Sequence, residues 1–231
     1  MAELNFLQPT FQYDHKSKFE KLGLSFEILQ SSISAGISEY MSASSLAPLN
    51  AGGSKASFAI IENIREQLLQ NSLGWSMVNK HGQCLTNNAD ENLSIVVTSG
   101  DKDTGLADGY PCTKNGKGTE TKNQVLRNIG KTLNLFDEPQ ITNDCADIDS
   151  KKVDTHELWL LLYYFDHQKK EVRFELSLPI GYKEVGRYGK VKVTDWGTRL
   201  FFTPVSFEDY LITKNITAFS DDIDFVVTSK E

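Results

Sequence analysis

The spacing of the apolar residues changes partway along this chain, and that change limits its folds more than any other feature. Up to about residue 70 the apolar residues recur at three- and four-residue steps. Phe26, Leu29, Ile33 and Ile37 form one series; Phe58, Ile61, Ile64, Leu68 and Leu69 form another. That is the period of a helix with one buried face. Farther along, Val172, Phe174, Leu176 and Leu178 alternate with Arg173, Glu175 and Ser177, the period of a strand with one buried face. Helices first and antiparallel-looking strands later predict an α+β fold, with N-terminal helices followed by a mostly antiparallel sheet and one helix packed on it.

The first helix is expected from Ser25 to Tyr40-Met41. A Ser/Ala/Gly-rich connection follows over 42–54, with Pro48, Gly52 and Gly53. The second helix should stop between Asn71 and Gly74. Trp75 to Val78 reads as a short strand, His81 to Asn92 as a polar turn region, and Leu93 to Thr98 as a β-branched strand. A third helix is expected from Thr119 to about Leu135, with Thr119 as its cap and Glu120 in its first turn. With strand 93–98 it fits half of a crossover unit. Beyond residue 155 the chain reads as β. Strands Glu157 to Phe165 and Glu171 to Leu178 flank the turn Asp166 to Lys170, and Pro179 closes the second. Two shorter strands, Lys190 to Thr194 and Arg199 to Thr203, are expected around an Asp195-Trp196-Gly197 turn, and a last one at Phe225 to Thr228.

The 231 residues are read as a single domain. The acidic stretch 140–155, with Asp144, Asp147, Asp149 and Asp154, is where a helix-rich N-terminal lobe and a β-rich C-terminal lobe would divide. Hydrophobic residues at 39% and charged residues at 24% describe a globular chain. The net charge of -7 argues against generic nucleic-acid binding, which relies on Lys and Arg displacing counterions. No apolar run approaches the roughly 20 residues that span a bilayer, and the N-terminus lacks a basic segment followed by an apolar one. No membrane partner is expected, and the location expected is cytoplasmic. Cys84, Cys112 and Cys145, odd in number and scattered, fit a reducing compartment rather than a disulfide framework.

The polar segment 99–119, between the 93–98 strand and the third helix, is where chemistry is expected. Gly116-Lys117-Gly118-Thr119 offers backbone N–H groups, a cation and a helix start, so Lys117 and Thr119 are the expected anion contacts. A Walker-type loop is not present, because Lys117 is followed by Gly118 and the position five before Gly116 is Pro111. Asp101-Lys102-Asp103-Thr104-Gly105 has the oxygen-rich start of a calcium loop, but its glycine falls one place early and its twelfth position is Cys112. If a metal binds, Asp101 and Asp103 are the expected ligands, with Mg²⁺ or Ca²⁺ as the ion. His81 and Cys84 lack the second close pair of ligands that zinc needs. A metal-dependent nuclease would set carboxylates on adjacent strands with a nearby lysine. Glu175 is the expected catalytic carboxylate in that reading, although Glu175-Leu176-Ser177 lacks the lysine.

No intact catalytic motif is present, and aromatic residues gather late in the chain at Phe201, Phe202, Phe207 and Tyr210. The expected function is therefore a binding or assembly protein, acting through a protein partner or by self-association. The alternative is a metal-assisted enzyme acting on a phosphate-bearing or nucleic-acid substrate.

Overall fold

Ser25 starts the first helix by accepting the Ile28 N–H on its hydroxyl at 3.3 Å, and the apolar series then runs down one face. In this computed structural model, which describes residues 22, 24–71, 74–133, 156–186 and 188–208, helix α1 spans Phe26–Met41 and buries Leu29, Ile33 and Ile37 completely. Helix α2 spans Ala51–Asn71 and packs against α1. The two backbones come close at Gly36, where a Cβ would lie 2.5 Å from the Ile60 side chain. The buried row on α2 is Ala56, Ile60, Ile64 and Leu68. Phe58, expected in that row, is 69% exposed. The apolar stripe read from the sequence thus mixes two faces of the helix.

Strands β1 (Trp75–Lys80), β2 (Gln83–Asn88) and β3 (Leu93–Ser99) form an antiparallel meander. Helix α3 (Thr119–Leu133) comes next, then β4 (Glu157–Asp166), β5 (Glu171–Glu184), β6 (Val191–Phe201) and the short β7 (Val205–Ser206). Among the described residues these make one seven-stranded sheet in the order β1-β2-β3-β4-β5-β6, with β7 also on β5. Every pairing is antiparallel except β3 with β4. The class is α+β, as the order of periods predicted, and the parallel β3–β4 pair with α3 between them in sequence is the crossover unit.

The sheet is covered on both faces. One face packs Ile95, Trp159, Leu161, Phe174 and Leu176 with the buried sides of α1 and α2. The other packs Leu85, Leu158, Leu160, Leu162 and Val193 with Val125 of α3. Central strand β4 therefore sends alternate residues into two cores, which explains why Leu158 to Phe165 is apolar without alternation. No helix among the described residues is long and apolar enough to cross a membrane.

Four expectations need correction. The 81–92 region, read as turn, contains β2. His81 and Gly82 form a two-residue hairpin turn with φ of 51° and 75°, the geometry that matches strand twist. The strand was hidden because its last three residues, Thr86, Asn87 and Asn88, are polar yet buried, with Asn87 Oδ1 accepting from Ser94 Oγ at 2.8 Å. Pro179 does not close β5. The strand passes through it with register shifts between 177 and 182, and Asn128 Nδ2 of α3 donates to the Pro179 carbonyl at 3.0 Å. Asp195-Trp196-Gly197 lies inside β6 rather than at a turn. Helix α2 begins at Ala51 rather than after Ser54, with Gly52 against the Tyr40 ring. Residues 140–155, Tyr210 and the 225–228 strand lie outside the described residues.

Candidate functional site

The crossover from β3 to α3 leaves one end of the sheet open. There α2, the β1–β2 hairpin, β3 and the start of α3 enclose a cleft of about 590 Å³. Lys117 and Thr119, the expected anion contacts, both line it. The strap leading into α3 is fixed by sheet-like pairing: Lys117 N–H donates to Val191 O at 2.7 Å, and Val191 N–H donates back to Lys117 O at 3.0 Å. With its backbone clamped to β6, the Lys117 side chain reaches Thr98 at the end of β3 and donates from Nζ to Thr98 Oγ1. Thr98 is itself buried. Partial burial pushes the Lys117 pKa below its ordinary value, because the ammonium is less well solvated there. None of the ion pairs among the described residues includes Lys117.

Gly118 holds the cap position of α3, its carbonyl accepting the Lys122 N–H at 3.3 Å, so Thr119 is the first helical residue rather than the cap. The first-turn N–H groups of a helix have no intrahelical acceptor and carry its positive dipole end. In this helix that turn lines the cleft. Glu120 lies there too, with Oε1 held by Arg127 Nη2 at 3.3 Å. Gln83 Nε2 on β2 donates to Thr121 Oγ1 at 2.7 Å and to Gln124 Oε1 at 3.1 Å, fixing the hairpin to the helix. Apolar residues line the cleft too: Phe58 and Ile61 of α2, and Val96 and Val97 of β3. The basic residues on α3 are paired rather than gathered at the cleft: Lys122 with Glu184 at 2.7 Å, and Arg127 with Glu120 at 3.3 Å.

The expected metal ligands and catalytic carboxylate belong to a different construction. Asp101 closes a tight turn, its Oδ1 accepting the Asp103 N–H at 3.1 Å and its Oδ2 the Cys112 thiol at 3.0 Å. Burial pushes the Cys112 pKa up, and Asp101 adds to the effect. Glu175 is fully buried on β5. It accepts from Gly105 N–H at 2.8 Å, Ser177 Oγ at 2.8 Å, and Arg199 Nε and Nη2 at 3.1 and 2.6 Å. Arg199 also donates to the carbonyls of Gly109 and Leu106, and Arg173 donates to that of Lys102. These contacts pin the 101–109 turn to strands β5 and β6. Neither Asp101, Asp103 nor Glu175 lines the cleft. Among the described residues, no three His, Cys, Asp or Glu side chains are grouped to share a metal ion. A second groove of about 550 Å³ runs beside Tyr110, Asp195 and Trp196 and holds none of the expected site residues.

Of the expected site residues, Lys117 and Thr119 line the cleft; Phe58 and Gln83, which also line it, and Thr98, which Lys117 contacts, were not among them. The signal for Phe58 was its phase: it sits off the Ala56-Ile60-Ile64-Leu68 row by half a turn. No local signal marks Thr98 or Gln83, which become site residues only through partners 19 and 38 positions away. No protein-family model, curated protein or solved structure matches the chain.

Proposed function

We propose that this is a binding protein whose cleft takes a ligand carrying an anionic group at Lys117. One observation carries the reading: a partly buried lysine ammonium in the cleft lining, with a hydroxyl partner but no carboxylate paired to it among the described residues. A charge in that position is costly without a counter-ion, and a ligand anion supplies one. The first turn of α3 lines the same cleft and adds N–H donors and its dipole. The metal-assisted alternative draws no support from this arrangement, because its expected ligands sit in the loop clasp. The test is a calorimetric titration with inorganic phosphate. Wild type should bind and Lys117→Met should not; equal binding by the two would overturn the assignment.

A second reading, self-association, is favoured by the corner between α1 and α2. Leu46 and Leu49 stand there almost wholly in water, with Met41 half-exposed beside them in sequence. Exposed apolar clusters of this kind mark contact surfaces. Sedimentation velocity over a concentration series tests it: wild type should associate, and the double variant Leu46→Ser, Leu49→Ser should stay monomeric. A wild type that is monomeric throughout would remove this reading.

A further inference from the structure

We infer that the ligand of the Lys117 cleft is a nucleoside monophosphate, held by its phosphate at Lys117 and the start of α3 and by its base against Phe58; this rests on the anion-binding reading above. The lining of the cleft is chemically mixed: Lys117 and the N-terminal turn of α3 on one hand, Phe58 and Ile61 of α2 with Val97 of β3 on the other. A simple anion would use only the first set.

Phe58 is the informative residue. On a helix whose core row is completely buried, its ring is 69% exposed and lies in the cleft wall. An exposed ring in a cleft that also holds a lysine offers a stacking surface for a planar group, and nucleobases stack on aromatic side chains with little regard to sequence. Asn123, exposed on α3, also lines the cleft and offers an amide to a base edge.

Charge sets the number of phosphates. One ammonium and one helix end together amount to about one and a half positive charges. A single phosphate ester near neutral pH carries about the same charge with opposite sign. Glu120 is the nearby carboxylate, and its pairing with Arg127 limits its repulsion of the phosphate. A triphosphate would bring two further phosphates with no second unpaired lysine in the cleft to meet them. A cleft of about 590 Å³ lies in the size range of small-molecule sites.

The experiment is a set of calorimetric titrations on the full chain with AMP, UMP, ribose 5-phosphate and inorganic phosphate, repeated on Phe58→Ala and Lys117→Met. In wild type, AMP and UMP should bind at least tenfold more tightly than ribose 5-phosphate. Phe58→Ala should narrow that gap to less than threefold, and Lys117→Met should lose all four ligands. If ribose 5-phosphate binds as tightly as AMP, or if Phe58→Ala keeps the full gap, the nucleotide inference fails while the anion site stands. If none of the four binds to wild type, the anion site itself fails. Phe58 is exposed, so its alanine variant should melt with wild type, and that control keeps a loss of binding from being a loss of folding.

Discussion

Glu175 is fully buried and Lys117 partly so, and the protein treats the two charges in opposite ways. Glu175 is fully buried and satisfied by Arg199, Ser177 and a backbone N–H. Removing one partner of such a pair leaves the other charge uncompensated, at a cost of about 3–5 kcal/mol. Glu175→Gln should lower the unfolding free energy by that amount in urea titrations. Arg199→Lys should recover little of it if the two-pronged contact is what matters, because an ammonium cannot bond both carboxylate oxygens as the guanidinium fork does. Lys117 has a hydroxyl but no ion-pair partner among the described residues. Burial lowers its pKa from the ordinary 10.5. Between the lowered value and 10.5 the unfolded chain holds more protons than the folded one, so folding stability should rise with pH through that window. Lys117→Met should flatten this rise, and the variant's advantage should be largest at neutral pH. Urea midpoints measured from pH 7 to 10 check both the sign and the window; a wild-type midpoint that rises no more steeply with pH than the variant's would sink it.

The elements differ in how much of their form is local. Helix α1 was legible because its period and its apolar face lie within sixteen residues. Strand β2 was not, because burial of Thr86, Asn87 and Asn88 depends on neighbours in β3 and beyond, and polar residues announce a turn when read alone. Strands β5 and β6 were each cut short in the reading for a related reason. Pro179 lacks an N–H and so marks a strand end by local rules, but a bulge and the Asn128 side chain accommodate it. Two substitutions test the element-scale account. Gly82→Ala puts a side chain at φ +75° in the hairpin turn and should cost about 1–2 kcal/mol. Gly36→Val should cost about 1–3 kcal/mol by forcing α1 away from Ile60 on α2. Thermal melts of both variants check these figures.

At the scale of the molecule, the parallel pairing of β3 with β4 organises the rest. Because β3 runs beside β4 in the same direction, the chain must cross a sheet face between them, and α3 covers that face. The segment before α3 is then held by the clasp to β5 and β6 at one end and by Val191 at the other. The exposed corner at Leu46 and Leu49 lies in the α1–α2 connection, outside both cores. Replacing both leucines with serine should change the unfolding free energy by less than about 0.5 kcal/mol, so any change in association reports the surface rather than the fold. The sequence by itself determined the α+β class, the start of α1 and the central apolar strand. Each of these is written in spacing or composition over a few turns of chain. Only the tertiary structure decided that Glu175 is a buried anchor, that Asp101 and Asp103 close a turn, and that Phe58 faces the cleft. A residue's period says which side of its own element it occupies. What covers that side, and whether a charge there meets water, a counter-ion or a carbonyl, is set by contacts made across tens of residues of chain.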